Sequence, residues 1–348
     1  MTRAVTAKRR RILAAFQGEH GAFSEEAARR FFGSRLESMP QREFDDMFDA
    51  VVRGDADCAV VPIENTLAGS VIKNYDLLVG YDLTIIGEVV LRVAHNLIAP
   101  RGVKLGDLRR VFSHPVALAQ CEDFLRKLRQ QVPSLEVLPS YDTAGAVKMV
   151  VKNGRRDEAA IASKSAAEVF AANILAAGIE SNPQNFTRFF VMARPDRAGR
   201  ISVASKAKER KTSLVFRIAN RPGSLYASLY AFAAEQVDLT KIESRPIVGR
   251  PWEYSFYLDF IGDRNDANVR RAIAALAGAA ESVRIFGSYP RAETYLTLYP
   301  VAGSGAGFFT TEDTEATEAD RKGKGLGSFQ SEPLLPFRPP PGISCNTR

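Results

Sequence analysis

Residues 58–71 read CAVVPIENTLAGSV: an almost wholly apolar run from Cys58 to Ile63 that passes without pause into Glu64, Asn65, Thr66, Gly69 and Ser70. An apolar run of that length, bounded by turn residues, predicts a buried strand that delivers its polar residues into a loop. Outward in both directions the same rhythm repeats. Residues 11–18 (RILAAFQG) predict a strand ending in a Gly turn, and Ser24-Glu25-Glu26 a helix N-terminus. Phe44, Met47, Phe48, Val51 and Val52 recur with helical spacing, leaving Asp45, Asp46 and Asp49 on a solvated face.

Further along, residues 83–98 are rich in β-branched side chains and read as extended. Residues 111–113 (VFS) predict a strand, with Pro115 in the first turn of a helix that carries Leu118, Phe124 and Leu128. EVLPS, residues 142–151, AAIAS and residues 165–177 predict strand, helix, strand, helix, and FTRFFVMA (186–193) a closing strand. Repeated β–α alternation implies an α/β domain with a largely parallel sheet. Ligands of such sheets gather beyond the carboxyl ends of the strands.

The composition shifts to Arg, Lys, Ser, Ala and Gly at 195–211, which reads as a linker after a first domain at 11–194. Residues 212–292 then give strand, helix, strand, strand, helix, strand, the ferredoxin-like βαββαβ order. From 300 to 348 the chain is poor in large apolar residues and rich in Gly, Thr, Glu and Pro, a composition that predicts disorder.

Over its 348 residues the chain is 45% hydrophobic and 25% charged, with a formal net charge of +7, an ordinary globular balance. The basic residues cluster at 8–11 and 194–211 rather than on one face with aromatic platforms, which argues against nucleic-acid binding. A mildly positive field suits an anionic small molecule. Cys58, Cys121 and Cys345 are odd in number and far apart, which fits a reducing compartment. His20, His95 and His114 show no metal-ligand spacing. The start, MTRAVTAKRRRILAAF, lacks an apolar h-region and no stretch reaches the length of a membrane span, so the expectation is a cytoplasmic protein with no membrane association.

Four segments bring polar residues to places where loops converge. In residues 17–24 (QGEHGAFS), two glycines before a helix start allow an anion close to the backbone, although turn glycines alone explain the pattern. Residues 62–71 offer Glu, Asn, Thr and Ser beside a Gly, for which helix capping is the bland account. Ser113-His114 is no nucleophile–base pair, since neighbours in an extended segment face opposite ways. Thr187-Arg188 brings a hydroxyl donor and a guanidinium to one strand entry.

Taken together in order, Gly18…Gly21-Ala22-Phe23-Ser24, 61–71 (VPIENTLAGSV), Ser113-His114-Pro115, 141–146 (YDTAGA) and 185–189 (NFTRF) resemble prephenate dehydratases. Residues 220–225 (NRPGSL) and 239–246 (LTKIESRP) resemble the ACT regulatory domain that follows the catalytic domain in that family. The resemblance covers about residues 11–290. It implies two α/β lobes, similar in architecture to periplasmic binding proteins, with the active site between them. The reaction it implies turns prephenate into phenylpyruvate, water and carbon dioxide without metal or organic cofactor, with arogenate dehydratase as the alternative.

By the same resemblance Thr187 is the catalytic residue, and Asn65, Thr66, Gly69, Ser70, Ser113, Gln120, Thr143, Ala144, Arg188 and Phe189 bind substrate. Asn220, Gly223, Ser224, Leu225, Glu243, Ser244, Arg245 and Pro246 hold L-phenylalanine as feedback effector between paired ACT domains, in a homodimer or homotetramer. Two positions depart from the family pattern. Val116 stands where Gln usually follows Ser-His-Pro, which makes Gln120, one helical turn on, the candidate amide. Ser224 stands where the regulatory motif usually has Ala, a change that keeps the Gly and the backbone contacts.

Overall fold

The computed structural model describes residues 10–201, 207, 209–247 and 249–292; the expected tail at 300–348 lies outside them. A first lobe begins with β1 (Ile12–Gln17), α1 (Phe23–Phe32), β2 (Leu36–Gln41), α2 (Phe44–Arg53), β3 (Cys58–Asn65), β4 (Gly69–Ser70), α3 (Ile72–Gly80) and β5 (Thr84–Arg92). The chain crosses into a second lobe with β6 (Asn96–Ala99), β7 (Arg110–Ser113), α4 (Pro115–Gln120), α5 (Glu122–Gln131) and β8 (Glu136–Pro139). That lobe ends with α6 (Thr143–Asn153), β9 (Glu158–Ala162), α7 (Lys164–Val169) and β10 (Asn173–Ala177), and the chain returns to the first as β11 (Phe186–Ala193). After the short α8 (Ala198–Ile201), the C-terminal domain runs β12 (Arg210–Arg217), α9 (Ser224–Ala234), β13 (Leu239–Ile247), β14 (Arg250–Ile261), α10 (Ala267–Ala279) and β15 (Ser282–Pro290).

Three sheets result, ordered β2-β1-β3-β11-β5 with β4 on β3, then β10-β6-β9-β7-β8, then β13-β14-β12-β15. The fold is two α/β lobes followed by a ferredoxin-like βαββαβ unit. Neither lobe's sheet is purely parallel. β11 runs antiparallel to both β3 and β5, and β6 antiparallel to β9 and β10. These reversals follow from the chain's double passage between lobes, since each crossing strand enters its new sheet from the opposite end.

Local chemistry explains several element ends. Glu43 and Asp46 form a capping box on α2, and Gly54 closes it in the left-handed region. Asp142 caps α6 by accepting from the Ala144 and Gly145 N–H groups. Pro115 occupies the first turn of α4, but the helix expected to carry Leu118 through Leu128 breaks at Cys121. The single helix expected over 165–177 is a correction of a larger kind. It stops at Val169, Ala171 takes φ +52°, and 173–177 pairs with β6 as an edge strand. Its Ala-rich composition carried no strand signal; pairing with a buried neighbour decided it.

The C-terminal sheet lies between two apolar layers. One face packs on α9 and α10 through Phe216, Phe232, Phe260 and Leu276. The other shares a core with the first lobe, where Val215, Tyr257, Phe286 and Tyr289 meet Met47, Phe48, Leu78, Ile85 and Phe190. Gly287 permits this contact: a Cβ there would lie 2.3 Å from the Ile85 carbonyl oxygen. Among the described residues no helix is long and apolar enough to cross a membrane.

Candidate active site

The floor of the interlobe cleft is the place where the chain crosses between lobes. The Val93 N–H donates to the Asn185 carbonyl at 2.8 Å and the Ile179 N–H to the His95 carbonyl at 3.0 Å, so the two crossings are tied together. The buried Glu180 carboxylate pins both, accepting from Arg92 at 2.7 Å and from the His95 N–H at 2.9 Å. β3 ends and β11 begins here in a register that sets Thr187 opposite Asn65 and Arg188 opposite Glu64. Paired residues share a face and successive residues alternate. Asn65 and Thr187 therefore look one way, Glu64 and Arg188 the other.

Asn65 organises the polar residues on its side. Its Oδ1 accepts from the backbone N–H groups of Leu67 and Ala68 at 2.9 and 2.8 Å, which fixes the orientation of the amide. Its Nδ2 is then a donor, shared among Asn185 Oδ1 at 2.7 Å, Thr187 Oγ1 at 3.0 Å and the Phe186 carbonyl at 3.1 Å. Gln120 donates Nε2 to Asn65 Oδ1 at 3.2 Å, so Gln120 Oε1 is an acceptor. It receives Asn185 Nδ2 at 2.9 Å and His95 Nε2 at 2.8 Å. His95 consequently carries its proton on Nε2, and its buried Nδ1 is a lone pair without a hydrogen-bond partner among the described residues. Burial pushes the imidazole pKa below its ordinary value, which keeps the ring neutral. The hydroxyl of the buried Thr187 takes a hydrogen bond from Asn65, so its own proton is not spent on that contact.

At the cleft mouth the lobes touch. Lys148 Nζ lies 2.9 Å from both Glu19 carboxylate oxygens, and Tyr141 Oη donates to Glu19 Oε1 at 3.2 Å. The Glu19 N–H donates to Asp142 Oδ2 at 2.9 Å, and Ser163 Oγ to the Gly21 carbonyl at 2.6 Å. Gly21 has φ +87°, and a Cβ on it would lie 2.6 Å from Ala166 Cα. Of the loop N–H groups expected to receive a substrate carboxylate, those of Gly18, Glu19, Gly21 and Ala22 are occupied. Gly21 N–H donates to Glu25 Oε2 at 2.6 Å. Burial alone would raise the Glu25 pKa, but that N–H, the Ser38 hydroxyl and His20 outweigh it and hold the carboxyl below its usual range.

Of the expected site residues, Asn65 and Gln120 converge with Thr187 in one network. Val116, at the departure from the family pattern, is exposed. Thr66 Oγ1 instead donates to the Gln184 carbonyl at 2.8 Å and accepts from the Phe186 N–H at 2.9 Å, tying the β3 loop to the crossing strand. Gly69 is exposed and opens β4, paired with Asn65 after the turn at 66–68. Ser70 points at the C-terminal domain, donating to Glu243 Oε2 at 2.6 Å. Ser113 is wholly buried and donates to the Ile161 carbonyl at 2.6 Å. Thr143 and Ala144 form the Asp142-capped start of α6. Phe189 lies in the core beneath α1 with Ala27, Ala28 and Phe32. Arg188 faces away from the cleft, its NH1 2.7 Å from Asp259 Oδ2. His95 and Asn185 were not singled out as site residues, since a lone histidine between strands and an asparagine before one carry no spacing signal.

The effector candidates divide between two faces of β13. Glu243 meets Ser70, and Arg245 pairs with Asp76 of α3 at 3.0 Å, whereas Ser244 and Pro246 are exposed. Ser255 of β14 is opposite Arg217 on one side and Arg245 on the other, so the turn holding Asn220, Gly223, Ser224 and Leu225 emerges at the same end of the sheet.

Residues 14–197 match the family model described as prephenate dehydratase. An Arabidopsis thaliana protein named arogenate dehydratase/prephenate dehydratase 2, chloroplastic, is 42% identical over 295 residues, spanning 82% of this chain and 74% of that protein. A solved prephenate dehydratase from Arthrobacter aurescens in complex with L-Phe is 31% identical with a TM-score of 0.71, covering 80% of this chain and 90% of that one. GqqA, described as a novel type of quorum quenching acylase, is 34% identical with a TM-score of 0.71, covering 81% of this chain and 99% of that one.

Proposed function

Because the chain belongs to the prephenate dehydratase family of carbon–oxygen lyases, we propose that it converts prephenate to phenylpyruvate, with Thr187 as the donor to the departing ring hydroxyl. The observation that carries this reading is the Asn65 Nδ2 contact to Thr187 Oγ1 at 3.0 Å. As the carboxylate leaves as carbon dioxide, its bonding pair aromatises the ring and the ring C–O bond breaks, the departing hydroxide taking up one proton, drawn in the end from solvent, to leave as water. A threonine hydroxyl is a weak acid, so its contribution is a hydrogen bond aimed at the oxygen where charge develops, held by a neutral, water-poor network. Asn65, Gln120, Asn185 and His95 are the residues that hold it.

Arogenate is the second reading, favoured by one feature. His95 Nδ1 is a buried acceptor without a donor among the described residues, which suits an ammonium better than the keto oxygen of prephenate. Turnover of the purified protein measured with prephenate and arogenate side by side separates the two. Higher kcat/KM on prephenate is expected, and turnover of arogenate alone overturns the first reading.

We further propose feedback by phenylalanine, bound at the sheet end shared by Asn220, Gly223, Ser224, Leu225 and the Glu243–Pro246 stretch. Pairing of C-terminal domains in a homodimer or homotetramer is supported by the exposed apolar side chains of Tyr226, Tyr230, Ile242 and Trp252 there. Inhibition at millimolar phenylalanine is the expected result, and indifference to it removes the regulatory part of the proposal.

A further inference from the structure

Glu64 and Arg188 are the immediate chain neighbours of Asn65 and Thr187, but on the opposite face of the sheet they enter a buried ionic cluster shared with the C-terminal domain. Arg188 NH1 lies 2.7 Å from Asp259 Oδ2 and 3.4 Å from Glu88 Oε2, and NH2 lies 3.3 Å from Glu64 Oε2. Lys211 joins Glu88 at 3.1 Å, and Lys241 joins Glu64 at 2.7 Å. The side chains of Arg188, Glu88 and Asp259 are only 8%, 2% and 8% exposed. Ser213 donates to Asp259 Oδ1 at 2.5 Å and fixes its rotamer. The first lobe thus supplies Glu64, Glu88 and Arg188, while the C-terminal sheet supplies Asp259, Lys211 and Lys241.

A buried charge whose partner is removed is costly, so each member holds its neighbours in place. Arg188 cannot shift without losing its ion pair to Asp259, and Thr187 cannot shift without Arg188, because one peptide unit joins them. The guanidinium also lies over the Phe190 ring, 4.9 Å from its centroid, which leaves it little room. We propose that Asp259 is a positioning residue for the reaction: through Arg188 it sets where the Thr187 hydroxyl stands, so the C-terminal sheet completes the geometry of the active site. The proposal rests on the reading of Thr187 as the donor.

Asp259→Asn in the full-length chain keeps the volume and the bond from Ser213 but removes the charge. A small displacement of a reacting group costs up to about a hundredfold in rate. The expected result is a kcat at least about tenfold lower with KM within about twofold. Asp259→Glu, which restores the charge, is expected to recover part of the loss. A purely architectural Asp259 lowers the thermal midpoint but leaves kcat per folded molecule unchanged, and that outcome overturns the proposal. If Asp259→Asn does not fold, Ser213→Ala decides, since it loosens the carboxylate without touching its charge: a several-fold fall in kcat supports the role and an unchanged kcat overturns it. Thr187→Ala assayed in parallel separates the two failures. An active Thr187→Ala removes the reading beneath the proposal, whereas an inactive one beside an unaffected Asp259→Asn removes the positioning role alone.

Discussion

Replacing Thr187 by alanine removes the hydroxyl with little change of volume, so kcat with prephenate is expected to fall by about 10²–10⁴ while KM stays close to its original value. Thr187→Ser keeps the donor and should retain substantial turnover. Asn65→Asp is a sharper test of the proton arrangement. It sets a carboxylate oxygen against Asn185 Oδ1, the Phe186 carbonyl and Thr187 Oγ1, three acceptors now served by Nδ2. Steady-state kinetics and a melting curve should both show losses, and a variant with normal kcat sets the amide aside. Asn65 and Thr187 are legible in the sequence through the family resemblance of polar residues beside strands, and Gln120 through the departure at Val116, one helical turn away. The resemblance misplaced Phe189 for a reason of depth: that residue shares the face of Thr187 but lies two positions further along β11, under α1. Arg188 was offered to the substrate because a cation beside a hydroxyl suits a dianion, and no sequence signal announced three carboxylates behind it.

Loop 18–22 and α7 meet across the cleft mouth with no space for a side chain at Gly21. Gly21→Ala combines a positive φ with a collision against Ala166 backbone, so it should hold the lobes apart. A fall in kcat/KM of about tenfold or more is expected, and unaltered kinetics there mean that closure at this point does not matter to turnover. The β–α alternation, the buried CAVVPI strand and the βαββαβ order were legible because each depends on local periodicity. The strand at 173–177 and the reversed direction of β11 were not, because both are fixed by partners far away in the chain. The hairpin bond from Ser70 to Glu243 was hidden for the same reason, joining residues 173 positions apart.

At the scale of the molecule, one hydrophobic core serves the first lobe and the C-terminal sheet. Calorimetry of the full chain should therefore give a single transition for those two parts, and two well-separated ones contradict the shared core. The cluster at the junction adds a pH dependence. Burial alone would raise the carboxyl pKa values of Glu64 and Asp259, but Arg188 with Lys241 for the first, and Arg188 with Lys211 for the second, outweigh it and hold both below the usual range. In the unfolded chain these groups titrate near about 4, so their contribution is complete above that pH and is lost as pH falls towards the folded values. The thermal midpoint should drop as pH falls below about 4, and Asp259→Asn should flatten that drop. The double crossing between lobes also governs the order of events during synthesis. β11 is the strand between β3 and β5, yet it emerges after the whole second lobe. At about 5–20 residues per second, the first sheet waits roughly 5–20 s for this interior strand, with the edges of β3 and β5 open to wrong partners. The lobe translated second is thus the first able to close, and on the proposed reading of Thr187 a growing chain cannot turn over substrate until residue 187 has left the ribosome.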